Sequence, residues 1–258
     1  MPCPLLTPAN LAAGIANFMR HPKWRHDFHN TFYSNVTNTA KLARGFAGPS
    51  VGSYKSARHY GPSLWHDIVG ELQFWKALRP HPRAIFNAPL GLRALSAAYT
   101  VFGAGLPYAT LPVAHPPQAT IQNLFQAAAA LKVAGRPSAV FPSKCCHMLL
   151  PWEFPIWDNS FAGNTGTTRQ KMVDSLDGWD GFAPAMARRL RTAFGGHLGY
   201  PANYWTYREF ILLAWDTLPL ANQAVLIQQM NAAIIAGGAP VVWPHFPYRT
   251  KIPELCLA

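Results

Sequence analysis

The chain has 258 residues, half of them hydrophobic and only 13% charged, which excludes a disordered tail and leaves length for a large core. Its 22 Lys and Arg against 11 Asp and Glu give a net charge of +11, a property that speaks to partners rather than to fold. The four cysteines (Cys3, Cys145, Cys146 and Cys256) form no CxxC and no zinc or iron–sulfur spacing, so no metal or cofactor is expected.

Reduced thiols in a cytoplasmic protein are the simplest reading of that cysteine pattern. No apolar run reaches the roughly 18 residues of a membrane span, because Gly and Pro interrupt the longest ones. The first twenty residues lack the positive start of a signal peptide. The basic residues are scattered and form no polybasic run. A folded basic face for nucleic acid is therefore expected, with an anionic membrane surface as the main competitor; double-stranded DNA is the partner preferred, with no membrane and no obligate protein partner.

In chain order, helical periodicity first predicts a helix over 8–19. "HPKWRHDFHN" then sets His26 and His29 three residues apart around Asp27, with no third metal ligand nearby; DNA-facing surface histidines are the preferred reading. Residues 42–63, rich in Gly, Ser and base, read as an extended loop in which Lys55 and Arg58 contact the DNA backbone. "LWHDIVGELQFWKALRP" forms a helix with Leu64, Ile68, Leu72 and Trp75 in one stripe, stopped by Pro80. Asp67 and Glu71 lie one turn apart on it, either a solvated face or a Mg²⁺ pair.

A further short helix is expected over 91–101. "PPQATIQNLFQAAAALKVAG" opens on prolines suited to a first turn and closes at Gly135. Next comes a helix over 143–150, capped by Ser143 and ended by Pro151, with Lys144 on its surface in the plainer reading. The chain then runs through "EFPIW", anchored by Phe154 and Ile156. Asp158 follows beside Asn159, where it reads equally as a helix N-cap.

Helices over 168–176 and 183–194 follow, the second carrying Arg188 and Arg189 as backbone contacts. Between them Asp174, Asp177 and Asp180 are spaced by three, which fails the calcium-loop pattern and reads as a solvated acidic turn. "NYWTYREFILLAWDTLP" has a Thr206–Glu209 capping box, and its Tyr204, Trp205 and Tyr207 with Arg208 are either core or a base-stacking platform. The last helix is bounded by Pro219 and Gly237. The tail "PVVWPHFPYRTKIPELCLA" reads as a coil wrapping the body.

The sum is a mainly α protein, a multi-helix bundle with long Pro- and Gly-rich loops. A single domain over 1–258 is expected, with two lobes meeting near 115 as the alternative.

Ser143, Lys144, His147, Pro151, Pro155, Ile156, Trp157 and Asp158 together resemble the active-site stretch of the helix-hairpin-helix DNA glycosylases. There a helix carries a lysine and a proline-bearing segment delivers an aspartate. The resemblance covers about twenty residues. The family's Gly-rich hairpin is represented here only by Gly135, so the aspartate transfers most directly.

The resemblance implies a glycosylase-like helical bundle that hydrolyses the N-glycosidic bond of a flipped base, with Asp158 as the catalytic carboxylate. Lys144 is then an amine nucleophile or a phosphate contact. Trp152, Trp157, His147, Asn159, Tyr207 and Trp205 are the expected base-binding residues. Such chemistry serves repair of damaged bases or attack on modified bases in phage DNA. The alternatives are a non-catalytic nucleic-acid-binding protein and a Mg²⁺-dependent nuclease built on Asp67 and Glu71.

Overall fold

The computed structural model describes residues 2–20, 72, 117–131, 138–157, 166–177, 179, 187–188, 191–192, 202–238 and 246–258. Of these, 73% are helical, and no strand occurs among them. The mainly α class is thus as expected. The chain divides into two compact units, one of Met1–His29 with Pro151–Ala258 and one of Asn30–Leu150.

The described helices are α1 Pro8–Met19, α2 Gln118–Ala130, α3 Val140–Leu149, α4 Gly166–Asp174, α5 Ala202–Asp216, α6 Leu220–Ala236 and α7 Tyr248–Leu257. Among the described residues no single helix is long and apolar enough to cross a membrane. Leu72 is helical and fully buried, as its place in the 64–80 stripe requires. The rest of that predicted helix, and the whole of 91–101, lie outside the described residues.

In the unit of 30–150, α2 packs on α3. The buried side chains of α2 are Ile121, Leu124, Phe125 and Ala128, one stripe at helical spacing. The helix ends at Ala130 with Leu131 as a right-handed cap, so it stops short of Gly135. The helix α3 starts at Val140, three residues before Ser143. Pro142 sits in its first turn, where a missing N–H costs nothing, and the Ser143 hydroxyl donates to the Val140 carbonyl at 3.3 Å. Ser143 is therefore not the cap. Pro151 does end the helix: Leu150 already leaves helical geometry at φ −138°, ψ 69°.

In the other unit α7 is the central element. Every residue from Arg249 to Leu257 is buried, and the helix packs against α1, α4, α5 and α6. The expectation of a wrapping coil is corrected here. Pro253 lies inside the helix and has no N–H for the Arg249 carbonyl, a loss offset by burial of Ile252, Leu255 and Leu257, each worth about 1.5–3 kcal/mol. The last carbonyls of α7 are met from outside, Leu257 by Lys171 Nζ at 3.2 Å and Ala258 by Asn17 Nδ2 at 3.4 Å.

The approach of α1 to α7 depends on Gly14. A methyl group there would overlap the Leu255 carbonyl oxygen. At its start α1 is capped by Thr7, whose hydroxyl accepts from Asn10 N at 3.2 Å. The bounds of α6 are those of the sequence, Pro219 before it and Gly237 as its cap, with Gly238 taking the positive φ of 96° that follows. In α5 the capping-box expectation fails: the helix begins at Ala202, so Thr206 is interior and the Glu209 N–H is no longer an orphan donor.

Candidate functional site

Residues 151–157 turn and then run without regular structure, so their backbone groups cannot satisfy one another. Side chains from α5 and α7 do it instead. Thr250 Oγ1 donates to the Pro151 carbonyl at 2.7 Å, and Arg249 Nη1 to that of Trp152 at 3.2 Å. Arg208 Nε donates to the Glu153 carbonyl at 2.6 Å. The Tyr204 hydroxyl donates to Pro155 at 3.1 Å and the Tyr207 hydroxyl to Ile156 at 3.4 Å. The Ile156 N–H donates to the Glu254 carboxylate. Pro151 and Pro155 fix two further φ angles. The segment is held at almost every peptide.

Glu153 binds the two helices together. Its carboxylate is 4% exposed and is shared between two guanidinium groups, Arg208 Nη2 at 2.8 Å and Arg249 Nη1 at 2.6 Å. The other edge of Arg249 grips Asp216 in a bidentate pair, at 2.8 and 2.6 Å. Arg208 also lies 5.8 Å from the Phe154 ring centre and 6.0 Å from that of Trp205. Desolvation lowers the Arg208 pKa, and Glu153 only partly offsets it. Desolvation also works against Arg249, but Asp216 and Glu153 together outweigh it and hold that guanidinium above its ordinary value.

Trp157, at the end of the segment, meets Tyr204 and Tyr207 edge-on, with centres 6.3 and 5.3 Å apart and planes at 76° and 83°. Trp205 stands edge-on to Tyr204 at 5.3 Å. Trp152 packs on Tyr248 at 6.4 Å, and its buried indole N–H finds no acceptor among the described residues. The three tryptophans keep part of their surface exposed, whereas Tyr207 is 1% exposed. Tyr207 is thus a support for the segment and not a stacking face.

The remaining expected residues are placed differently. Lys144 and His147 are 5% and 3% exposed in α3, which belongs to the other unit. The surface position expected for Lys144 is corrected. A phosphate contact needs an exposed ammonium, which a residue 5% exposed does not offer. Arg188 is exposed, as a backbone contact must be. Asp158, Asn159, Lys55, Arg58 and Arg189 lie outside the described residues, as do His26, His29, Asp67 and Glu71.

Of the acidic residues expected to be solvated, Asp174 and Asp177 are exposed, and Asp180 lies outside the described residues. Asp177 pairs with Arg191 on the surface, and Asp174 accepts from Gln170 Nε2 at 2.6 Å. Among the described residues no three His, Cys, Asp or Glu side chains come together to hold a metal.

Sequence reasoning passed over Glu153, Asp216, Arg249 and Glu254. One signal was available: Glu153 stands between Trp152 and Phe154 in an apolar, proline-flanked run, in a chain with only 11 acids. A carboxylate in such a place must find cations. Nothing local names them, since Arg208 and Arg249 are distant in sequence. The chain matches no family model, no curated protein and no solved structure.

Proposed function

We propose that the protein is a DNA N-glycosylase that binds duplex DNA, extrudes a damaged or modified base and hydrolyses its glycosidic bond with Asp158 as the essential carboxylate. The observation that carries this reading is the anchored segment 151–157, whose last residue, Trp157, immediately precedes Asp158. Departure of a base leaves positive charge on the deoxyribose. A carboxylate stabilises that charge, or orients water, only if its position is fixed beforehand. A segment tied down by six side chains from α5 and α7 is a suitable mount.

The partly exposed faces of Trp152, Trp157 and Trp205 suit stacking of an extruded base. Charge distribution supports the polyanion partner. Among the described residues the buried ion pairs balance, with Arg208, Arg249 and Lys251 against Glu153, Asp216 and Glu254. The whole +11 excess is therefore left to the rest of the chain. Lys144, being buried, is assigned neither as nucleophile nor as phosphate contact.

The test is incubation with duplexes carrying modified and unmodified bases in the presence of EDTA, followed by hot alkali. Strand breaks that arise only after alkali are expected, since alkali opens abasic sites. Breaks that need Mg²⁺, form without alkali and vanish in Glu71→Gln would make the protein a nuclease. Salt-sensitive binding with no base released from any substrate would leave a binding protein only.

A further inference from the structure

The helix α6 is apolar on two sides. Its buried stripe is Leu226, Met230 and Ile234, facing α1 and α7. On the opposite side Leu220 is 81% exposed, Val225 51% and Ile235 47%. The other exposed residues there are alanines, with Asn222 and Gln228 as the only polar ones. An exposed helix face of this kind, with Leu220, Val225 and Ile235 uncovered, marks an interaction surface.

Two features specify the occupant. First, no Asp, Glu, Lys or Arg occurs between Asp216 and Arg249, in a chain of net charge +11. Two copies of so basic a protein repel wherever their charged surfaces meet, and an uncharged helix lets them approach. Nucleic acid has nothing to hold there, and an interfacial membrane helix would carry a cationic flank that α6 lacks.

Second, the exposed stripe is palindromic. Ala221, Ala224, Gln228, Ala232 and Ile235 follow at intervals of three, four, four and three. Two such helices crossing antiparallel about Gln228 place each Ile235 over the small Ala221 of the other copy. Ala224 likewise meets Ala232. No two large side chains are opposed, and the two Gln228 amides face each other, able to exchange N–H···O bonds across the axis. A two-fold interface demands this self-complementarity, with residue i on j and j on i.

We infer that the protein forms a two-fold homodimer through the outer face of α6, with Gln228 on the axis. This does not depend on the glycosylase reading. The test is sedimentation equilibrium of the full chain at tens of micromolar, at near-physiological salt, together with cysteine cross-linking. Wild type is expected to weigh twice the chain mass.

Gln228→Glu, an exposed change of the same shape, opposes two carboxylates and should weaken the dimer at least tenfold while leaving the helical circular dichroism unchanged. Gln228→Cys should cross-link to itself on mild oxidation. Ala221→Cys alone should not, but should join Ile235→Cys when the two are mixed. A monomer at every concentration overturns the proposal, as does a dimer indifferent to Gln228→Glu. Monomers that float with anionic vesicles and lose this in Leu220→Asp would assign the face to lipid instead.

Discussion

A carboxylate as deeply buried as Glu153 is tolerated where its charge is met, and here two guanidinium groups share it while a third partner, Asp216, steadies one of them. Removing the charge leaves Arg208 and Arg249 buried with too little opposite charge. Glu153→Gln should therefore cost about 3 kcal/mol or more of unfolding free energy, measured by urea denaturation with tryptophan fluorescence. Asp216, with a side chain 34% exposed, is screened by water, so Asp216→Asn should cost under about 1 kcal/mol. Equal effects would mean that the network is not organised around Glu153. The thiols give a second check. All four cysteines are buried and none is in a disulfide, and desolvation pushes Cys3 up to about 11 and Cys145 and Cys256 up to about 12. At pH 8 the native protein should be inert to a thiol-specific disulfide reagent and should react fully once unfolded, since the thiolate is the nucleophile. Because folding raises these values above 9.0, the native state holds the protons more tightly, so their share of stability is complete below pH 9 and declines as pH rises towards 12. Unfolding free energy that stays flat from pH 9 to 11 would contradict this. At this scale the sequence displayed Glu153 in its apolar run but could not display its partners, because ion pairing across fifty to a hundred residues leaves no local trace.

Helices whose signals are local were legible, and those governed by packing were not. The α6 helix runs between Pro219 and Gly237 as the sequence indicates, and α1 fills 8–19, because their caps and periodicity lie within the helices themselves. The helix α7 was hidden behind its prolines. "PHFPYRTKIPELCLA" carries Pro253 within the helix, a residue that opposes helix formation locally and is overridden by burial on every side. The α5 helix shows the reverse error: Thr206 and Glu209 have the spacing of a cap, but Tyr204, on the turn before, is already fully buried within the helix. The packing of α1 on α7 through Gly14 yields a direct prediction. Gly14→Ala replaces a hydrogen by a methyl group at a backbone oxygen that cannot swing away, so the helices must separate. A loss of about 1–3 kcal/mol is expected, and a corresponding fall in melting temperature, despite the better helix propensity of alanine. Unchanged or increased stability would show that the two helices do not approach so closely.

For the whole molecule, the charge ledger and the anchored segment point the same way. The described buried ion pairs are matched three cations to three anions, and the chain as a whole carries +11. The affinity for duplex DNA should fall steeply with salt, and Arg188→Ala should reduce the slope of log K against log salt by about 1 if that exposed side chain meets a phosphate. Binding insensitive to salt would exclude a backbone-reading face. Composition alone motivates this expectation, without any structure. The catalytic hypothesis was legible only as far as "PIWD", and the structure adds that α5 and α7 hold carbonyls of the preceding segment, from Pro151 to Ile156. The most direct test is release of free base under single-turnover conditions, with wild type and Asp158→Asn compared at equal occupancy of the DNA. The account predicts that the substitution leaves binding intact and slows base release by about 10²–10⁴-fold. Base release at the wild-type rate from Asp158→Asn would contradict it.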